Sequence, residues 1–316
     1  PLPLALPPVY RYSFRMGKLA PIVASLRTDI GRVHDHNEDF ITCWEPKTPE
    51  DEKKHGWLYI VADGVGGAEA GEVASQFASE KVMAYYLAND AEAHRGERLR
   101  QAMQQANTEL RQMVANEPES RRMATTMVTA VLEPNHVHIA NVGDSRAYHW
   151  RAGAIQQITK DHSLVAKLVE EGAISASEAE NHPYGNIILY SIGSDKNPRI
   201  DLFDLPLAPG DAIILCSDGL TKHVPDAEIG ELIARHEPAV ATETLINLAN
   251  ERGGRDNISV AVLRYGRRPA VAAARGAQTA VSPTTGPNQL ALILYTLLLS
   301  FVQTCLIILV WLWLRV

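Results

Sequence analysis

Three near-matching phrases constrain this chain more than any other feature. An apolar run ends in Asp-Gly at Trp57-Leu-Tyr-Ile-Val-Ala-Asp63-Gly64, and again at Ala212-Ile-Ile-Leu-Cys-Ser-Asp218-Gly219. At Arg255-Asp256-Asn257-Ile-Ser-Val-Ala-Val-Leu263 the order is inverted, acid first and strand after. A buried apolar strand that stops at a carboxylate aims that carboxylate at the rim of its sheet. Glu38, Asp39 and Asp144 sit at the edges of further predicted strands. Carboxylates gathered at one rim repel and raise one another's pKa unless a cation lies among them. Oxygen-only ligands suit hard cations such as Mg2+ or Mn2+. A lone Asp-Gly is ordinarily a turn; six acids in this arrangement point instead to a two-metal centre.

The rest of the chain tells what carries those acids. Strands are predicted at Ile22–Thr28, Phe40–Trp44, Trp57–Ala62, Thr126–Glu133, His136–Val142, Arg146–Arg151, Ile155–Ile158, Ile200–Leu205, Ala212–Ser217 and Ile258–Leu263. Short turns at Glu133-Pro134-Asn135 and Arg151-Ala-Gly153 imply antiparallel pairing. Helices are predicted at Glu69–Ala88, Glu97–Asn116, Leu164–Glu171, Ala227–Arg235 and Val240–Glu251. Asp161 and Asp226 read as helix caps. Runs of strands and paired helices indicate an α+β fold, two sheets covered by helices.

Composition narrows the function classes. With 316 residues, 46% of them apolar, the chain can bury a large core. A net charge of −7 with both signs dispersed does not resemble a nucleic-acid footprint, so no nucleic-acid partner is expected. Three cysteines, Cys43, Cys216 and Cys305, form no C-x-x-C pair, which argues against a disulfide framework or zinc site and for a reducing compartment.

The two ends differ from the middle. Residues 290–314, LALILYTLLLSFVQTCLIILVWLWL, are uncharged and long enough to span a bilayer, with Trp311 and Trp313 as interfacial aromatics. Residues 267–289 are rich in Ala, Pro, Thr and Gly and read as a flexible linker. Arg264, Arg267, Arg268 and Arg275 precede the span and only Arg315 follows it, so the large part is expected on the cytoplasmic side of a cell inner membrane, anchored by a single pass. Residues 1–19 form an N-terminal extension. Met16 offers an alternative start, with residues 1 to 15 an over-extended reading frame, and both readings stay open.

In order along residues 22 to 264, the phrases are Gly31-x5-Asn37-Glu38-Asp39, Val61-Ala-Asp63-Gly64-x-Gly66-Gly67, Gly71-Glu72-x-Ala-Ser75, Ala124-Thr-Thr126, Asn141-Val-Gly-Asp144-Ser-Arg146, Thr159-x-Asp161-His162-Ser163, Ser217-Asp218-Gly219-Leu220 and Arg255-Asp256-Asn257. Together they resemble the metal-dependent serine/threonine protein phosphatase family, type 2C, in its bacterial form. The resemblance implies a catalytic domain over 20–266 built as a four-layer α-β-β-α sandwich of two mainly antiparallel sheets. It implies two Mn2+ or Mg2+ ions: Asp63 shared by both, Asp218 and Asp256 holding one, Glu38 and the Gly64 carbonyl the other. Asp39 would orient the nucleophilic water, and Asp144 with Asp218 would make a weaker third site. The segment from Lys167 to Lys196, acidic through Glu170, Glu171, Glu178 and Glu180, matches a flap that would gate or select substrates. Partners implied are phosphorylated proteins and a serine/threonine kinase acting in the opposite sense.

Two positions depart from the family pattern. Its phosphate-clamping Arg falls at His34 here; Arg32 is a substitute, on the same face if that stretch is a strand. Val65 follows the first Asp-Gly where eukaryotic members often have a His proposed as general acid. The Asp144 phrase also reads as a hairpin corner with a local Asp–Arg pair, and His162 as a capping histidine. Two rival functions remain: a catalytically dead relative that binds phosphorylated partners, and a phosphatase for small phosphate esters.

Overall fold

The computed structural model describes residues 22–266 except 67, 90, 91, 93, 117–122, 180 and 181. The expected extension 1–19, the linker 267–289 and the membrane span 290–314 lie outside the described residues. Among the described residues, no helix is long and apolar enough to cross a membrane.

In chain order the strands are β1 (Ile22–Asp29), β2 (Asp39–Trp44), β3 (Trp57–Val65), β4 (Ala124–Glu133), β5 (His136–Val142), β6 (Arg146–Arg151), β7 (Ala154–Gln157), β8 (Asp201–Pro206), β9 (Ala212–Cys216) and β10 (Ile258–Tyr265). The helices are α1 (Pro49–His55), α2 (Ala68–Ala88), α3 (Arg95–Asn116), α4 (Leu164–Glu170), α5 (Ala176–Ala179), α6 (Asp218–Thr221), α7 (Asp226–Arg235) and α8 (Pro238–Glu251). Two five-stranded sheets run in the orders β1-β10-β9-β6-β7 and β2-β3-β4-β5-β8. Every strand pair is antiparallel.

Side-chain parity explains the layers. Along β3, Tyr59 and Val61 enter the core between the sheets, where Leu215 of β9 and Ala261 and Leu263 of β10 also lie. Leu58, Ile60 and Ala62 point the other way, onto Ala74, Ala78 and Val82 of α2 and Met103 and Leu110 of α3. Ile214 and Val262 likewise meet Ile229 of α7 and Leu245 of α8 on the outer face of the second sheet. Both faces of each central strand are therefore apolar, which is why the sequence shows continuous runs rather than alternation. Each fully buried large apolar side chain contributes about 1.5–3 kcal/mol.

Three local expectations are corrected. β5 and β6 belong to different sheets, so Asn141–Arg146 is a crossover between sheets and not a hairpin corner; Arg146 pairs with Asp161 (2.7 Å), not Asp144. Asp161 is thereby spent on Arg146, and α4 is capped by Ser163, whose Oγ accepts from the Ala166 N–H. Asp226 is the first residue of α7, after its N-cap Pro225, and accepts from the Tyr148 hydroxyl. The short helices α1, α5 and α6 were not read from the sequence. α1 had a readable signal, the capping box of Thr48 and Asp51 with Pro49 in its first turn.

Candidate active site

The parity that builds the core also delivers the acids. Trp57, Tyr59 and Val61 face the other sheet, and Asp63 is the next residue of that set, at the rim. Asp39, the first residue of β2, is its register partner. Asp218 opens α6 just after β9, and Asp256 precedes β10. Asp144 precedes β6, whose first residue pairs with the last of β9. Antiparallel pairing thus brings strand ends from both sheets to one edge of the sandwich.

Electrostatics show that these carboxylates share one small volume. Asp63 is pushed well above its usual range by burial and then by the charges of Asp39, Asp218, Asp144 and Asp256. Burial raises Asp39 to about 7 against hydrogen bonds from Ser217 and Ser259. Burial, then the charge of Asp218, raises Asp144 to about 7. Asp218 is raised by burial, with Lys222 opposing. Glu38 is raised by burial, moderated by His34.

Hydrogen bonds fix the loops that present them. Ser217 Oγ donates to Asp39 Oδ2 (2.8 Å) and accepts from the Ser259 N–H (2.9 Å). Asn257 Oδ1 accepts from the Glu38 N–H (2.7 Å), and its Nδ2 donates to the carbonyls of Ile30 (2.9 Å) and His36 (3.0 Å), so one amide clamps the 30–38 loop beside Asp256. The Glu38 carbonyl accepts from the Gly64 N–H (3.1 Å) and from Ser75 Oγ (2.6 Å). Gly64 and Gly71 are in close approach: a Cβ on Gly64 would overlap the Gly71 carbonyl, and one on Gly71 would overlap Glu38 Oε2. His162 accepts from the Gly143 N–H (3.2 Å) and pairs with Asp201 (3.1 Å), holding the loop before Asp144 rather than capping a helix.

His34 and Arg32 do not sit on a strand; residues 31–33 form a turn, so even spacing does not place them on a common face. Both are exposed; His34 Nε2 lies 3.6 Å from Asp256 Oδ1, and the Arg32 N–H is bonded to the Gly254 carbonyl (2.7 Å). One cation the sequence reading missed enters the cluster: Lys222 Nζ is 2.7 Å from Asp218 Oδ2 and 2.9 Å from Asp256 Oδ2. Its spacing of four from Asp218 on a helical turn was the available signal.

Whether the group suits a metal is answered by its unsatisfied oxygens. Asp39 Oδ1, Asp144 Oδ1 and Asp218 Oδ1 are buried and have no hydrogen-bond partner among the described residues. Buried acceptors are ordinarily satisfied, and carboxylate oxygens left open together suit a hard divalent cation. Another set of metal-capable groups, His94, His138 and Asp204, lies around β5, β8 and the start of α3. There His138 Nδ1 is held by Asp204 (2.5 Å) and Nε2 by Glu133 (3.0 Å), which is a satisfied ion-pair network.

Residues 36–259 match the family model described as protein phosphatase 2C. The chain belongs to the protein phosphatase 2C family. It is therefore an enzyme, a metal-dependent serine/threonine phosphatase of the bacterial kind. It is similar to the serine/threonine phosphatase stp of Listeria innocua, 38% identical over 75% of this chain and 93% of that protein. The crystal structure of the serine/threonine phosphatase Stp1 from Staphylococcus aureus superposes with a TM-score of 0.71 at 35% identity, covering 81% of this chain and 99% of that one. The catalytic domain of the phosphatase PstP, crystallised with two manganese ions, superposes with a TM-score of 0.66 at 32% identity over 78% and 98%. The two antiparallel sheets flanked by helices are this phosphatase fold.

Proposed function

We propose that this phosphatase removes phosphate from phosphoserine and phosphothreonine on proteins, using two Mn2+ or Mg2+ ions held by the carboxylate cluster. Asp63, Asp218 and Asp256 would hold one ion and Asp63, Glu38 and the Gly64 carbonyl the other. Asp144 with Asp218 would offer a weaker third position. The observation that carries this reading is the convergence of five aspartates with three open buried oxygens. Bound ions supply charge neutralisation and a more acidic water.

The chain's own groups do the positioning. Ser217 fixes Asp39 through Oδ2, leaving Oδ1 to accept a hydrogen bond from the attacking water. Asn257 keeps Glu38 and Asp256 in mutual register. His34 occupies the sequence position of the family's phosphate-binding Arg, lies beside Asp256 and would take part of that role. The flap is tied down by bridges Ser163↔Ile188 and Thr125↔Ile192, and exposes Tyr184 and Ile187 for contact with a protein substrate.

The reading extends to place. The catalytic domain, 20–266, would be tethered by 267–289 to an inner-membrane span at 290–314 and would work in the cytoplasm against a serine/threonine kinase. Support comes from the uncharged span and the arginines on its N-terminal side. The test is hydrolysis of a phosphothreonine peptide with Mn2+ or with EDTA, alongside an aryl phosphate. Metal-dependent hydrolysis of the peptide is expected; equal activity in chelator contradicts the mechanism, and activity on the aryl phosphate alone contradicts the protein substrate. Deleting 268–316 is expected to release a soluble, active enzyme, and protease outside spheroplasts is expected to leave the domain intact. An inactive soluble product or external digestion overturns the tether and topology.

A further inference from the structure

Asp256 differs from the other aspartates of the cluster in having both carboxylate oxygens engaged. Oδ1 accepts from the Asn257 N–H (3.0 Å) and faces His34 Nε2 (3.6 Å). Oδ2 accepts from Lys222 Nζ (2.9 Å). Asp39, Asp144 and Asp218 each keep an open oxygen. The same ammonium also holds Asp218 Oδ2 (2.7 Å). Lys222 is the C-cap of α6, and its N–H bonds the Asp218 carbonyl (2.9 Å), so the backbone itself aims the side chain back at Asp218. Its side chain is one-third exposed and so has room to swing into solvent.

We propose that Lys222 is a built-in competitor for the divalent ion at Asp218 and Asp256: those carboxylates must release its ammonium before both can hold the ion. One ammonium balances one of two carboxylate charges, whereas a divalent ion balances both. The ion therefore wins, but with an affinity lowered by the displaced contact. Among the described residues, no ammonium or guanidinium bridges Asp63 and Glu38 in the same way. The two positions are thus unequal, and the weaker one is set by Lys222, whose ammonium bridges Asp218 and Asp256. This rests on the metal-centre reading above.

The test is Mn2+ calorimetry on the EDTA-stripped full chain, wild type against Lys222→Met and Lys222→Arg. Wild type is expected to bind in a tight and a weak step. Lys222→Met is expected to strengthen the weak step at least about tenfold, lower the melting temperature of the metal-free protein and leave the Mn2+-saturated one unchanged. Lys222→Arg is expected to keep the weak step weak. Identical isotherms for wild type and Lys222→Met contradict the proposal alone, as does a weak step that becomes weaker. Absence of Mn2+ binding in both contradicts the metal centre itself. A readout without mutation is the labelling of Lys222 by an amine-reactive acylating reagent. Mn2+ is expected to raise it severalfold by freeing the ammonium, and unchanged labelling overturns the proposal.

Discussion

Asp39 and Asp63 are register partners across the β2–β3 ladder, two carboxylates directly opposite each other at the rim of one sheet. Like charges so placed are destabilising, and both are driven above the usual carboxylate range by burial.

If Asp63, Asp218 and Asp256 hold the ions, replacing any one by Asn removes a charged ligand while preserving shape. Each variant is expected to lose at least about a hundredfold in kcat/KM on a phosphothreonine peptide. Wild-type-like activity in any of the three contradicts its assignment; circular dichroism checks that the fold survives.

Gly71 gives a sharper test, because it separates stability from function. Ala is favoured over Gly inside a helix by about 1 kcal/mol, yet here the added methyl would overlap Glu38 Oε2. Gly71→Ala is expected to leave the melting temperature near wild type and to cut Mn2+-dependent activity at least about tenfold by displacing Glu38. Unchanged activity would show that Glu38 is not needed where it stands.

The sequence made the frame legible, and the reason is parity. All ten predicted strands match observed strands within a few residues; the central ones are plainest, because apolar runs such as Trp57–Ala62 are buried on both faces. The acids at strand ends were visible because the runs stop there. What was not visible depended on contacts between distant segments. Ser217 meets Asp39, and Asn257 meets Glu38, across separations of 178 and 219 residues. The Asp144 phrase looked like a hairpin corner because sequence spacing does not tell a turn within one sheet from a crossover between two. The reading of Arg32 and His34 as strand neighbours failed because Gly31, at φ +83°, turns the chain there.

The phosphate contact is resolved by two single mutants. A clamp acts on ground and transition state alike, so its loss or gain appears in KM. With His34 beside Asp256, His34→Arg is expected to lower KM for a phosphopeptide about tenfold with little change in kcat. A strong rise in KM for Arg32→Ala, with none of these changes in His34→Arg, would assign the contact to Arg32 instead.

Stability is expected to depend on pH through a network remote from the site. His138 bridges Glu133 (3.0 Å) and Asp204 (2.5 Å). Burial pulls the imidazole down, but the bonds to Glu133 and Asp204 outweigh it and raise the pKa from 6.5. The bond from His138 lowers Glu133 from 4.5 to about 2. A raised histidine stabilises fully below its unfolded pKa and loses that as pH rises through the folded one. A lowered carboxylate stabilises fully above its unfolded pKa and loses that as pH falls toward about 2. The contribution is therefore full between 4.5 and 6.5. His138→Gln is expected to cost about 1–2 kcal/mol there, with a smaller cost at pH 9, read from denaturant melts. A cost that does not vary with pH contradicts the charged network.

The central claim is that the rim carboxylates form the metal centre, and anomalous diffraction from Mn2+-soaked crystals tests it most directly. The expected result is two manganese peaks within roughly 2–2.5 Å of carboxylate oxygens, one against Asp63, Asp218 and Asp256 and one against Asp63 and the Glu38 side, with Lys222 withdrawn from Asp256. Soaked crystals with no peak among these residues, and Lys222 still bridging Asp218 and Asp256, would contradict it.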